Sequence, residues 1–243
     1  MSSVSLSRGS FLAGPAIPAG QRQALGVILA TAMAIAVVAP FDVAFTAATL
    51  GSPFLRAALI ALLALVGARC ALASGLSLTG TGRYPSLLIG IAAAAAMAAY
   101  VLSLDCWLYC GAIDTGYAAF LHLPLPYRLE YFMLRAFNEN VIYRLFVFPA
   151  LVWLTSRAMG LRALPTGIMI ALMVLAQALN IGMNVMAGSD HPLTPALLAY
   201  DFLRYIVPGV SWAMLFWRFG FVSAEVASVG CHLFLQPGFS YFL

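Results

Sequence analysis

Lysine is missing: the twelve positive side chains are all arginine, and charged residues of either sign make up only 8% of a 243-residue chain. With 63% hydrophobic residues, that scarcity excludes a soluble domain of this size and indicates an integral membrane protein. The arginines stand singly between apolar runs, so the net charge of +4 forms no patch for nucleic acid, and no nucleic-acid partner is expected. Cysteine is scarce too. Cys70, Cys106, Cys110 and Cys231 include no CxxC pair and no Cys/His cluster, which argues against a structural zinc site. Cys106 and Cys110 share a helical face, with Cys231 expected at a similar level, and an oxidised pair there stays open. The first residues lack the charged, apolar and A-x-A order of a cleaved signal peptide.

What the sequence does contain is a series of apolar runs, and they predict an all-α, polytopic helical bundle. Seven spans are expected, at about 24–45, 54–74, 86–108, 131–156, 166–187, 195–216 and 219–235, the fourth kinked at Pro149. Residues 109–130 suit an interfacial helix, and residues 1–22 a disordered tail. No repeat or linker divides the rest, so 23–243 reads as one membrane domain. Arg8, Arg22, Arg69, Arg83, Arg157, Arg162 and Arg218 fall on one side, and Asp42, Asp105, Asp114 and Asp190 on the other. Cytoplasmic loops collect arginine, so the expected orientation has the amino terminus in the cytoplasm and the carboxyl terminus outside, in a bacterial inner membrane.

The fourth span is the exception among these runs. Its first half carries Arg135, Asn138, Glu139, Asn140 and Arg144, and ionisable groups at membrane depth usually line a site or a pathway. Arg135 with Glu139, and Asn140 with Arg144, have the four-residue spacing of helical pairs, so a structural ion-pair role competes with a functional one. In the expected topology Glu139 lies eight residues into the fourth span, Asn184 three from the outer end of the fifth and His232 three from the outer end of the seventh. At a rise of about 1.5 Å per residue these depths agree to within several Å, so the three could share one cavity. Gln177 and Asn180 lie on the face of Asn184, and Glu225, Ser228 and Gln236 are in register with His232.

Order and spacing here resemble those of a known family. Residues 139–144 read Glu-Asn-Val-Ile-Tyr-Arg, 180–184 read Asn-Ile-Gly-Met-Asn and 232–236 read His-Leu-Phe-Leu-Gln. These are similar to the EExxxR, FxxxH and HxxxN motifs of the CAAX prenyl protease and bacteriocin-processing (CPBP, Abi) intramembrane endopeptidases, over about residues 131–237. The pattern departs at Asn140 for the second Glu, at Asn180 and Asn184 for Phe and His, and at Gln236 for Asn. The resemblance implies that Glu139 is the general base that activates water, and that His232 and Gln236 donate to the oxyanion. It makes Arg144 a structural residue orienting Glu139 and Asn140. Asn184 cannot shuttle a proton as His would, so a catalytically inactive descendant that binds a partner protein or a lipid-like ligand is the alternative.

The implied partners are the lipid bilayer and a membrane-anchored protein or peptide, with no cofactor. Zinc catalysis would want three ligands where Glu139 and His232 supply two, unless the Asp190-His191 pair enters the site. A transporter reading is weakened by polar residues that cluster on one side and by the absence of a paired inverted repeat.

Overall fold

A computed structural model describes residues 17–39, 52–80, 86–110, 112–113, 115–186 and 194–243, with the side chains of 86, 115, 116 and 183–186 left outside. Its elements in chain order are α1 (Ala19–Val38), α2 (Pro53–Ala73), α3 (Ser86–Ser103), α4 (Thr115–Leu121), α5 (Leu125–Glu139), α6 (Phe148–Met159), α7 (Thr166–Met186), α8 (Pro195–Asp201), α9 (Val207–Phe219) and α10 (Phe221–Phe242). Three π-helical turns join or extend them: Leu104–Leu108 after α3, Asn140–Val147 between α5 and α6, and Phe202–Ile206 between α8 and α9. The described residues contain no strand, and the fold is a helical bundle.

Among the described residues four helices are long and apolar enough to cross a membrane: Ala19–Val38, Pro53–Ala73, Leu87–Leu108 and Leu125–Met159. Two boundaries differ from expectation for the same reason. α1 starts at Ala19, directly after Pro18, and α5 starts at Leu125, directly after Pro124 and with Pro126 in its first turn. Proline suits a helix start, where a missing N–H costs nothing, so residues 19–22 of the predicted tail are helical, its residues 1–16 lying outside the described residues, and the fourth span begins within the predicted interfacial segment. α10 also outruns its expected end at 235, continuing through Pro237 to Phe242. One lost hydrogen bond is a smaller penalty than freeing a whole turn of backbone in an apolar surround.

The irregularity expected at Pro149 lies upstream of it. Pro149 has no N–H to offer the preceding turn, and residues 140–147 widen to the i→i−5 pattern before it. The widened backbone is accommodated by Gly67 of α2, where a Cβ would meet the Leu145 carbonyl oxygen at 2.2 Å.

α10 is the central helix, and its largest interface is with α3. The two run in the same direction. Gly90 abuts Ser223 and Val226, Gly230 abuts Ala94, and Gly238 abuts Leu102, so small residues let the axes approach along the whole length. The start of α10 is closed by the segment after α2: Phe221 and Val222 N–H donate to the Ser77 and Leu78 carbonyls at 3.1 and 2.9 Å. Gln21 of α1 grips that segment, donating to Ser77 Oγ and accepting from Leu78 N–H, both at 2.7 Å. Gly220, at φ +93°, makes the turn and leaves room for Gly80. The start of α1, the end of α2 and the α9–α10 junction, which carry Arg22, Arg69 and Arg218, therefore meet at one end of the bundle.

Candidate functional site

The polar residues of α5, α7 and α10 surround a cavity of about 360 Å³. Arg135, Glu139 and Arg144 reach it from α5 and the turn that follows, Gln177 and Asn180 from α7, and Ser228 and His232 from α10. The opposite wall is apolar, with Met97 and Val101 of α3 and Trp212 of α9. Arg204 and Tyr205 come from the third π turn.

Glu139 accepts from Arg135 Nε at 2.8 Å, the expected helical pair, and Arg135 also donates to the Tyr131 hydroxyl at 2.9 Å. Both charged side chains keep some access to the cavity, at 27% and 18% exposure for Arg135 and Glu139. The His232 ring stacks on Phe132, with centroids 5.2 Å apart and planes 11° from parallel. Its Nδ1 is enclosed without a hydrogen-bond partner among the described residues, which leaves Nε2 as the ring atom able to serve the cavity.

Arg144 is the most enclosed of these charges, at 6% exposure. Its expected partner was Asn140, one helical turn earlier; the π turn breaks that spacing, and Arg144 instead donates to Gln177 Oε1 at 2.6 Å. Gln177 passes the link on by donating to the Tyr205 carbonyl at 3.0 Å. It can reach both because Gly209 of α9 has no side chain: a Cβ there would fall 1.9 Å from Gln177 Cδ.

Asn140 and Gln236 do not line the cavity. Both are fully buried, each set against a polar side chain behind the cavity wall. Asn140 faces Glu225, and Gln236 faces Tyr117. Of the three residues expected to share one cavity, Glu139 and His232 line it and Asn184 is not described at its side chain; Arg144, expected as a structural residue, lines it as well, whereas Asn140 and Gln236 do not. The side chain of Asn184 and the whole of Asp190 and His191 lie outside the described residues. All four cysteines are free thiols, Cys231 at the cavity wall. Among the described residues no three His, Cys, Asp or Glu side chains come together.

Sequence reasoning passed over a second charged group. Arg204 donates from Nε to Asp105 Oδ2 at 2.8 Å, the Tyr200 hydroxyl donates to Oδ1 at 3.0 Å, and the Tyr117 hydroxyl lies 3.4 Å from Arg204 Nη2. The signal was available, since Asp201 and Arg204 interrupt the predicted sixth span as Glu139 and Arg144 do the fourth. The two groups are connected. Asp105 sits on the first π turn, Arg204 and Tyr205 on the third and Arg144 on the second, so side chains tie all three widened turns together around the cavity. Such turns recur at functional sites because they re-aim side chains that a regular helix would point elsewhere.

Compared with protein-family models, with curated proteins and with solved structures, the chain matches none.

Proposed function

We propose that the chain is an intramembrane endopeptidase of the glutamate type, similar to the CPBP family, that hydrolyses a peptide bond in a membrane-anchored protein or peptide near the outer face of a bacterial inner membrane. Seven crossings with a cytoplasmic amino terminus complete this reading. The observation that carries it is that Glu139 and His232, 93 positions apart in sequence, open on the same cavity inside an apolar bundle. Arg135 aims the Glu139 carboxylate while leaving part of it accessible.

In this mechanism a water held between the two residues gives a proton to Glu139 as its oxygen attacks the scissile carbonyl carbon. His232 Nε2, as a donor, steadies the resulting oxyanion, with the guanidinium of Arg144 adding positive potential from the same wall. Glu139 returns the proton to the leaving nitrogen as the C–N bond breaks, giving a carboxylic acid and an amine, and the acid's proton then passes to the amine or to solvent. Asn140 and Gln236, behind the wall, act only by positioning.

The test is processing of a membrane-anchored reporter by purified protein. Glu139→Gln and His232→Ala should each slow cleavage by roughly 10²–10⁴-fold, the usual contribution of a general base or an oxyanion donor. Cleavage at the original rate in both variants would falsify the mechanism. A second reading, a non-catalytic descendant that holds a partner or lipid-like ligand, is favoured by the retreat of Asn140 and Gln236 from the cavity. Asn184→His separates the two: a gain of cleavage supports a weakened enzyme, whereas no gain together with a stable co-purifying membrane protein supports the binder.

A further inference from the structure

We infer that the cavity binds the anionic head of a single-chain amphiphile, a fatty acid or a lipid phosphate monoester, with Arg144 as the head-group ligand. The inference goes beyond the proteolytic reading and does not depend on it. It starts from how the wall's charges are matched. Arg135 holds Glu139 and Arg204 holds Asp105, each at 2.8 Å. Arg144 has no carboxylate at salt-bridge distance among the described residues. Glu139 and Glu225 act on it only from farther away, and Glu225 is not part of the wall.

A guanidinium carries five N–H donors in a fixed fork. Arg144 lines the cavity at 6% exposure and uses only its Nη2, on Gln177, so its remaining donors have no protein acceptor among the described residues. A buried cation left in this state is costly, and an oxyanion meeting the fork in bidentate fashion is the ligand that relieves it. His232 Nε2 can add one donor to the same anion.

The rest of the cavity determines what the anion is attached to. From the head group the walls turn apolar, through Met97, Val101, Trp212 and Leu235. Tyr205, on the same wall, is 41% exposed, so the lining reaches the bundle surface in the segment that also exposes Leu198 and Phe202. A hydrated free anion would gain nothing from such a passage. A hydrocarbon chain would lie along it and continue into the bilayer. At about 360 Å³ the cavity holds a head group and the first part of one chain.

Trp212 provides the readout, since a brominated fatty acid in the cavity would quench its fluorescence. The full chain in a neutral detergent is titrated with 9,10-dibromostearate, with Trp212→Phe identifying the signal from that position. Saturable quenching of Trp212, displaced by oleate and by lysophosphatidate but not by oleyl alcohol, is expected. Arg144→Gln should weaken binding roughly tenfold or more, as loss of a charge-assisted contact does. Val101→Phe, which fills the tail passage without adding a second indole to the readout and leaves the head-group ligand in place, should weaken it as well, and it decides the matter if Arg144→Gln does not fold. Displacement by oleyl alcohol as effective as by oleate would overturn the proposal, because the head would then be irrelevant. Displacement by inorganic phosphate or acetate at the concentration where oleate acts would also overturn it, in favour of a free anion. Unchanged affinity in Val101→Phe, or in a folded Arg144→Gln, would place the amphiphile elsewhere.

Discussion

Two arginines on the cavity wall, Arg144 at 6% and Arg204 at 11% exposure, stand on π turns of this bundle and are partnered in opposite ways. Arg204 is closed off: Asp105 takes its Nε, Tyr200 occupies the other carboxylate oxygen and Tyr117 lies against the remaining edge. Arg144 is left open, with one neutral acceptor in Gln177 and a cavity before its other donors. The same residue type, at the same kind of helical defect, serves to hold helices together in one place and to present charge in the other. What separates them is whether a carboxylate comes within contact. A buried guanidinium with its partner is a structural joint, whereas one without it stays costly until an anion meets it.

The comparison is broken most severely by opening the closed arginine. Asp105→Ala leaves Arg204 without its counter-charge in an enclosed position, and removing one member of a buried pair costs about 3–5 kcal/mol. Thermal or denaturant unfolding in detergent should show a loss of that size, larger than for any substitution at the cavity. A midpoint equal to that of the parent protein would mean that the Asp105–Arg204 contact is dispensable. Next in size is Gly67→Ala, which sets a methyl group against the Leu145 carbonyl in the turn that carries Arg144. Backbone cannot give way as a flexible side chain can, so a loss of about 1–3 kcal/mol is expected, with amphiphile binding falling in parallel as Arg144 moves. The same substitution at Gly26, inside α1 with open space around it, should leave amphiphile binding unchanged and raise stability by about 0.5–1 kcal/mol through helix propensity.

Gln177→Leu sharpens the comparison from the other side. It removes the one acceptor Arg144 has, along with the link to the Tyr205 carbonyl, and a buried donor left unpaired costs about 1–3 kcal/mol. Because the cavity stays in place, an anionic amphiphile should restore more of this loss than it adds to the parent protein. Equal stabilisation of both by oleate would show that Arg144 does not meet the head group.

The helical bundle and the meeting of Glu139 with His232 were both legible from the sequence, because hydropathy and residue spacing carry that information directly. The partners of Arg144 were not. Spacing of four residues pairs it with Asn140 in a regular helix, and a π turn changes which residues share a face. Pro149 announced a distortion without saying that the backbone would widen upstream of it. Gln236 was likewise in register with His232 along α10, but helical register does not determine which of two adjacent faces meets the cavity and which meets Tyr117. Such choices are made by neighbouring helices, here through Gly67 and Gly209, whose lack of a side chain matters only once the opposing surface is known.

The smallest effect is expected from Tyr200→Phe. The Tyr200 hydroxyl donates to Asp105 Oδ1 at 3.0 Å, while Arg204 holds Oδ2, so losing the hydroxyl removes one hydrogen bond and leaves the ion pair intact. The ring stays to fill its buried place beside Tyr109, so no cavity opens. A loss of about 0.5–1.5 kcal/mol should follow in the unfolding midpoint. Tyr200 is not part of the cavity wall, so reporter cleavage and amphiphile affinity should both match those of the parent protein. A large fall in either, at this small cost in stability, would show that the closed arginine also sets the geometry of the open one. The three tied turns would then work as one unit, and the division between joint and site would fail.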